Sequence, residues 1–262
     1  MRTLAVSVWL MGGCVAAPMD GEPRAGEPAS PASPVSIDVL RISGNSLAPA
    51  ALMNAAVTTA RLDATSAAAM AGTADAREVL VYAVGCALEA TQSVAFTVDG
   101  VGHLLTGSIG LAPGWTSGAL SATDAAWVSA CLFAHVNLTQ TLVWISARGD
   151  HAGLATTAQE RADYKIEEGA FWGNAFADLG PLAAYSCNGA DQAIADDYGD
   201  LPLRQCAQSD GVSLASETPC GMHYAGLCSD VCGTSQPYAS CSLQGEPPAT
   251  AVITTMLRGA SE

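Results

Sequence analysis

The chain has 262 residues, of which 50% are hydrophobic, and a formal net charge of −15. It contains one lysine, Lys165, and no run of basic residues. Phosphate backbones and anionic lipid headgroups would repel such a chain, so we expect neither nucleic-acid binding nor charge-driven attachment to a membrane.

The N-terminal segment 1–13 is typical of a secretion signal. It carries one positive charge, Arg2, followed by an apolar run shorter than the roughly 20 residues that span a bilayer. The run ends in Leu10-Met11-Gly12-Gly13-Cys14, which resembles the lipobox of bacterial lipoproteins. The resemblance implies lipidation of Cys14, and Val15 after it implies sorting to the outer membrane, on its periplasmic or cell-surface face. An ordinary secretion signal with an incidental cysteine is the alternative.

Residues 14–34 are predicted to form a disordered tether. They contain five prolines and few large apolar side chains, a composition that favours a semi-extended chain over a packed core. The remainder, 35–262, is predicted to be a single α+β domain, and its 187–241 part is rich in cysteine.

Alternating apolar residues and turn signals predict the strands of this domain, and capping residues predict its helices. The expected strands are 35–42, 93–98, 102–106, 141–146 and 250–257, with Asp99-Gly100 as a hairpin turn. The expected helices are 49–61, 74–88, one that begins at Ser121, and 157–168.

These elements predict an α+β fold with one sheet and a few packed helices, then a loop-rich segment held by disulfides and a closing C-terminal strand. The strand at 250–257 is β-branched, and we expect it to insert into the sheet. Glu167 and Glu168 are expected on the solvated side of the fourth helix. The segment 169–176, rich in aromatic residues and glycine, is left unassigned.

Nine cysteines occur in the chain, and lipidation of Cys14 would leave 9 − 1 = 8 for pairing. Six of them fall in the last third, at Cys187, Cys206, Cys220, Cys228, Cys232 and Cys241. The chain has no C-x-x-C pair of the kind that zinc sites use, although His223 lies among these cysteines. We therefore predict disulfides rather than metal, and the fifteen pairings that six cysteines allow stay open.

The other two cysteines, Cys86 and Cys131, fall in the second and third predicted helices. A disulfide between them would close a loop of 131 − 86 = 45 residues. Cys131 and His135 also share one side of a helix, as a nucleophile and its base would. The availability of Cys86 as a partner favours the disulfide.

The sequence contains two further candidate sites, one for hydrolysis and one for calcium. Asp150 and His151 follow a predicted strand, and together with His103 they suggest an extracellular hydrolase as an alternative function. Four carboxylates on one loop could hold calcium, although their spacing is not that of an EF-hand: Asp191, Asp196, Asp197 and Asp200. The common hydrolase, dinucleotide and phosphate-loop motifs are absent from the sequence. We assign no catalytic residue, metal ligand or cofactor.

The whole chain resembles uncharacterised cysteine-rich lipoproteins of myxobacterial type. The resemblance lies in the lipobox, the proline-rich tether, the phrases at 107–115 and 127–132, and the terminal cysteines. It carries no known activity. It implies a membrane-anchored extracytoplasmic lipoprotein with a binding or structural role in the envelope, held at the lipid bilayer by its N-terminal lipid. The protein or glycan that it binds is not indicated.

Overall fold

The computed structural model describes residues 42–140, 142–189, 206–207 and 218–258, all of which belong to one compact unit. Several predictions lie outside these residues: those for Cys14, for the tether, for all but the last residue of the strand at 35–42, and for the acidic loop with Asp191, Asp196, Asp197 and Asp200.

The described residues form strands and helices in an α+β arrangement, which confirms the predicted fold class. The strands are β1 (Ile42–Asn45), β2 (Ser93–Val98), β3 (Val101–Thr106), β4 (Val143–Arg148), β5 (Tyr164–Asn174), β6 (Ala183–Asn188), β7 (His223–Leu227) and β8 (Ile253–Arg258). The helices are α1 (Pro49–Asn54), α2 (Ala64–Met70), α3 (Ala74–Ala87), α4 (Ala122–Ala134), α5 (Ala158–Asp163) and α6 (Cys228–Val231). Among these described helices, none has both the length and the hydropathy of a membrane span.

Six strands form one sheet in the order β1-β4-β8-β5-β6-β7, and β2 and β3 form a separate hairpin. Only the β6–β7 pair of the six-stranded sheet is parallel. The C-terminal strand β8 inserts into the sheet, as predicted. Its neighbours are β4 and β5, and all its residues except Arg258 are buried. Its apolar and β-branched sequence suits this position because both faces of an interior strand are covered.

Strand β5 separates two apolar cores. Successive side chains of a strand point to opposite faces, so Phe171 and Trp172 point to different sides of the sheet. Phe171 belongs to the larger core, which α3 and α4 help to form. Trp172 belongs to a second cluster with residues of the cysteine-rich segment, among them Cys187, Cys228 and Tyr238. Helices α3 and α4 and the Cys206–Cys220 disulfide therefore lie on one face of the sheet. The part of the cysteine-rich segment that contains Cys228, Tyr238 and Cys241 covers the other face.

The prediction for the fourth helix is wrong beyond its first turns. The capping box of Thr157 and Glu160 forms as expected, but α5 ends at Asp163 and β5 begins at Tyr164. Glu167 and Glu168 therefore lie in a buried strand, not on a solvated helix. Pairing of β5 with β8 and β6 decides this outcome, and the unassigned segment 169–176 supplies the rest of the same strand and the bend that follows it.

The other local signals mostly hold. Thr73 caps α3, and Ser121 forms a capping box with Asp124 at the start of α4. The hairpin turn at Asp99-Gly100 has both residues at positive φ, 52° and 77°, which the twist of the flanking strands requires. The first helix, however, ends at Asn54 rather than near residue 61, and the separate helix α2 was not predicted.

Asp63 caps α2, and the pKa of its carboxyl group is lower than the usual value for aspartate. A hydrogen bond from the Arg61 guanidinium and another from the backbone N–H of Ser66 lower the pKa of Asp63 to about 2. Because this pKa lies below the unfolded value of about 3.9, the charge stabilises the fold above about pH 4 and stops doing so as the pH falls through 2.

We expect the Asp63→Asn variant, which keeps the capping oxygen and loses the charge, to be less stable than the native chain near pH 7. The difference in unfolding free energy should shrink as the pH falls from 4 to 2. Urea unfolding at several pH values measures this. Arg61→Gln serves as the control, since it should raise the titration midpoint of Asp63 in an NMR titration. A native midpoint near 4 would contradict the prediction.

Candidate functional site

All eight cysteines of the described residues are paired, which confirms the prediction of a disulfide framework. The pairs are Cys86–Cys131, Cys187–Cys228, Cys206–Cys220 and Cys232–Cys241. The structure therefore selects one of the fifteen pairings that the six C-terminal cysteines allow.

The Cys86–Cys131 disulfide joins α3 to α4 inside the larger core, as predicted. Both cysteines are fully buried, with their Cα atoms 6.1 Å apart. His135 is the C-cap residue that follows α4, and its Nδ1 lies 2.7 Å from the carbonyl oxygen of Cys131. A carbonyl only accepts, so Nδ1 carries the proton. With Cys131 bonded to Cys86, the thiol that a cysteine–histidine nucleophile needs is absent in this oxidised state.

Two other disulfides lie against each other in the second core. Cys187, the next-to-last residue of β6, bonds to Cys228 at the start of α6, while Cys232 follows α6 and bonds to Cys241. Residues four apart on a helical turn share one side, so Cys228 and Cys232 point toward the same strand. The Sγ atoms of Cys187 and Cys232 are 3.6 Å apart. We call Cys187, Cys228, Cys232 and Cys241 the four-sulfur cluster.

A buried carboxylate fixes the segment that closes this cluster. The Tyr238 hydroxyl donates a hydrogen bond to Glu167 Oε1 at 2.5 Å, and the Gln236 side-chain amide donates to the other carboxylate oxygen. The Tyr238 backbone N–H donates to Thr254 Oγ1 at 3.2 Å. The segment 236–241 is thus attached to β5 through Glu167 and to β8 through Thr254.

The neighbouring carboxylate, Glu168, points to the opposite face of the sheet. The register of β5 on β8 shifts between Glu167 and Gly169, which makes Glu168 the extra residue of a β-bulge. The Thr255 hydroxyl donates to Glu168 Oε2 at 2.7 Å. Two consecutive glutamates therefore accept hydrogen bonds on opposite faces of the sheet, Glu167 from Tyr238 and Glu168 from Thr255. The sequence did not predict these roles. The polar–apolar alternation of Tyr164-Lys165-Ile166 was the signal that could have found the strand.

A third buried carboxylate, Glu160, holds α5 on the sheet. The Ser146 hydroxyl donates to Glu160 Oε1 at 2.7 Å, and Arg148 Nε donates to Ser146 Oγ at 3.2 Å. Arg148 also donates to the carbonyl of Tyr164. Burial lowers the pKa of Arg148, and the nearby Glu160 charge opposes this shift. These hydrogen bonds link β4, α5 and the start of β5, so the polar groups stabilise the fold.

The candidate hydrolase residues lie in different parts of the fold. His103 stacks on Phe96 within the β2–β3 hairpin, with ring centroids 5.1 Å apart. His151 follows β4, where its Nδ1 accepts from the backbone N–H of Gly153 at 3.0 Å and its ring packs on Trp127. Asp150 is exposed beside it. His103 and His151 thus pack on different aromatic rings, and the contacts of the described residues do not bring them together in one site.

Two groups in the described part of the chain have the spacing of metal ligands: Cys86 with Cys131 and His135, and Cys187 with Cys228 and Cys232. Metal-binding cysteines act as thiolates. In the oxidised chain these sulfur atoms belong to disulfides, so a metal would require their reduction first.

Exposed apolar side chains are the remaining candidates for contact with a partner. Leu142 and Trp144 are 57% and 50% exposed, respectively. They are two residues apart, so they point to the same face at the start of β4. Gly44 of β1 lies opposite Trp144 in the β1–β4 register.

Comparison with known proteins identifies no relative of this chain: no family model, curated protein or solved structure matches it. The class of protein therefore follows from the fold and the disulfides alone. It is an α+β domain whose sheet packs against helices and the Cys206–Cys220 disulfide on one face and against two further disulfides on the other.

Proposed function

We propose that this chain is a lipid-anchored extracytoplasmic domain that binds or organises a component of a bacterial cell envelope, without turnover. One observation carries the proposal: every cysteine of the described residues is in a disulfide. Disulfides persist in oxidising compartments and are rare in the reducing cytosol. A chain stabilised by four of them is suited to a place outside the cytoplasm.

The lipobox-like sequence at 10–14 supports the anchor, and Val15 supports the outer membrane as its location. The net charge of −15 supports a covalent lipid, because anionic headgroups would repel the chain itself. The partner in the membrane is then the lipid bilayer, reached through an acyl group on Cys14.

The use of the buried polar groups supports binding or structure over turnover. Glu160, Glu167 and Glu168 each accept a hydrogen bond from a side chain in a distant part of the chain. Buried carboxylates that are satisfied in this way hold a framework rigid. The exposed Leu142 and Trp144 offer contact area to a protein or glycan, since aromatic side chains contribute strongly to binding surfaces.

Mass spectrometry of the native protein from membranes tests this proposal. We expect an acylated N-terminal Cys14 and no free thiol among the other eight cysteines. A Cys14→Ala variant is the matched control: it should leave the membrane fraction and keep all four disulfides. A native chain that is folded with reduced thiols would contradict the compartment. A native chain that is oxidised but not acylated would contradict the anchor.

A further inference from the structure

The four-sulfur cluster places two disulfides in direct contact. The Sγ atoms of Cys187 and Cys232 belong to different disulfides and lie 3.6 Å apart, which is van der Waals contact between sulfurs. Cys187, Cys228 and Cys232 all have their sulfurs within 4.8 Å of one another. A thiolate formed at Cys232 would therefore have a disulfide sulfur as its immediate neighbour.

Access to this cluster is uneven. Cys187, Cys228 and Cys241 are buried, whereas Cys232 is partly exposed at the end of the single-turn helix α6. Thiol–disulfide exchange depends on which sulfur the attacking thiolate can reach. An external thiol would thus meet the cluster at Cys232. The Cys86–Cys131 disulfide, by contrast, is fully buried between two helices.

We propose that the four-sulfur cluster is a thiol–disulfide exchange centre, in which Cys232 transfers between Cys241 and Cys187 when an external thiol or dithiol reduces the chain. This role is independent of the anchor and of any envelope ligand. Its substrate class is the small or protein thiol that delivers the two electrons.

The first stage consumes the external reductant. A thiolate attacks Cys232 Sγ, the Cys232–Cys241 bond breaks, and Cys241 leaves as a thiolate and takes up a proton. A second external thiolate then attacks the outer sulfur of this mixed disulfide. Cys232 is released as a thiolate, and the two external thiols leave as an oxidised disulfide. Two electrons have entered the protein.

The second stage is redox-neutral. The Cys232 thiolate attacks Cys187 Sγ, a Cys187–Cys232 bond forms, the Cys187–Cys228 bond breaks, and Cys228 leaves as a thiolate that takes up a proton. A sulfur in line with the Cys187–Cys228 bond, in contact with Cys187 Sγ, would be more than 4.8 Å from Cys228 Sγ. All three sulfurs lie within 4.8 Å of one another, so Cys232 Sγ is beside this bond in the oxidised chain and not on its extension. Release from Cys241 allows rotation about χ1 of Cys232, which aligns the attack.

The exchange changes what holds the segment 236–241. After it, neither Cys228 nor Cys241 is crosslinked, and β6 is joined to the end of α6 instead of its start. The segment then depends on non-covalent contacts, among them the hydrogen bonds of Tyr238 and Gln236 with Glu167 and the packing of Tyr238 in the second core. Reduction of one disulfide thus loosens a segment that covers one face of the sheet.

A matched pair of variants tests the second stage without any reductant. Cys241→Ser leaves Cys232 unpaired beside Cys187, while Cys232→Ser leaves Cys241 unpaired. Each chain is quenched in acid, alkylated and mapped by mass spectrometry. We expect alkylated Cys228 and a Cys187–Cys232 linked peptide in C241S only, and alkylated Cys241 alone in C232S. Alkylation of Cys232 alone in C241S, with Cys187–Cys228 intact, would overturn the proposal.

The native chain provides a second test that does not depend on how the variants fold. One equivalent of dithiothreitol is added, and the products are trapped and mapped in the same way. We expect alkylated Cys241 and Cys228 together with the Cys187–Cys232 link, and a yield of exchanged product that rises with pH as more thiolate forms. Reduction of Cys86–Cys131 before the cluster, or reduction at Cys232 and Cys241 without any exchange, would overturn it.

Discussion

Replacement of both Cys86 and Cys131 by alanine is expected to lower the free energy of unfolding by about 4 kcal/mol. The disulfide closes a loop of 45 residues, and the chain-entropy model relates this loop length to that value. Total stability of a domain is roughly 5–15 kcal/mol, so the loss is a large share of it. Both sulfurs are also fully buried, and their removal leaves a cavity that adds to the loss.

The control for this prediction is a shorter crosslink. Cys206 and Cys220 are separated by 14 residues, for which the same model gives about 3 kcal/mol. Urea unfolding of the C86A/C131A and C206A/C220A variants, followed by tryptophan fluorescence, compares the two. An equal or smaller loss for C86A/C131A would show that the disulfide between α3 and α4 does not act through loop length and core packing.

Replacement of Glu167 by alanine is expected to destabilise the chain by about 3 kcal/mol. The side chain is fully buried, and it accepts from the Tyr238 hydroxyl at 2.5 Å and from the Gln236 amide. A buried donor left without its acceptor costs about 1–3 kcal/mol, and Glu167→Ala removes the acceptor of the buried Tyr238 hydroxyl and leaves a cavity. Tyr238→Phe removes the hydroxyl alone and should cost about 2 kcal/mol.

A double-mutant cycle with E167A and Y238F isolates the hydrogen bond itself. We expect a coupling energy of about 1–2 kcal/mol, since the two side chains are in direct contact. Glu246→Ala is the control because Glu246 is an exposed glutamate that follows residues 236–241 in the chain, and its loss should stay within about 0.5 kcal/mol. Additive effects of E167A and Y238F in urea unfolding would contradict the role of Glu167 as the anchor of residues 236–241.

Features encoded by neighbouring residues were predictable. The caps at Thr73, Ser121 and Thr157 all form, because a side-chain oxygen needs only a backbone N–H two or three residues away. The Asp99-Gly100 turn was predictable for a similar reason, since positive φ at both positions is a local requirement.

Features that depend on distant partners were not predictable in the same way. The change from helix to strand at Tyr164 has no local stop signal, and the pairing of β5 with β8 decides it. Tyr164 lies opposite Arg258, which is 258 − 164 = 94 residues later. The burial of Glu167 and Glu168 follows from this pairing. Without it, two adjacent glutamates indicate a solvated surface, because unpaired carboxylates are rarely buried.

By itself, the sequence determined the fold class, the existence of the disulfide framework and the Cys86–Cys131 pair, because these depend on composition, periodicity and the number of cysteines. Only the tertiary structure decided which C-terminal cysteines bond, and that two of their disulfides touch at Cys187 and Cys232. The physical reason is that a disulfide forms where folding brings two Cβ atoms within about 4 Å, and spacing along the chain does not encode that distance.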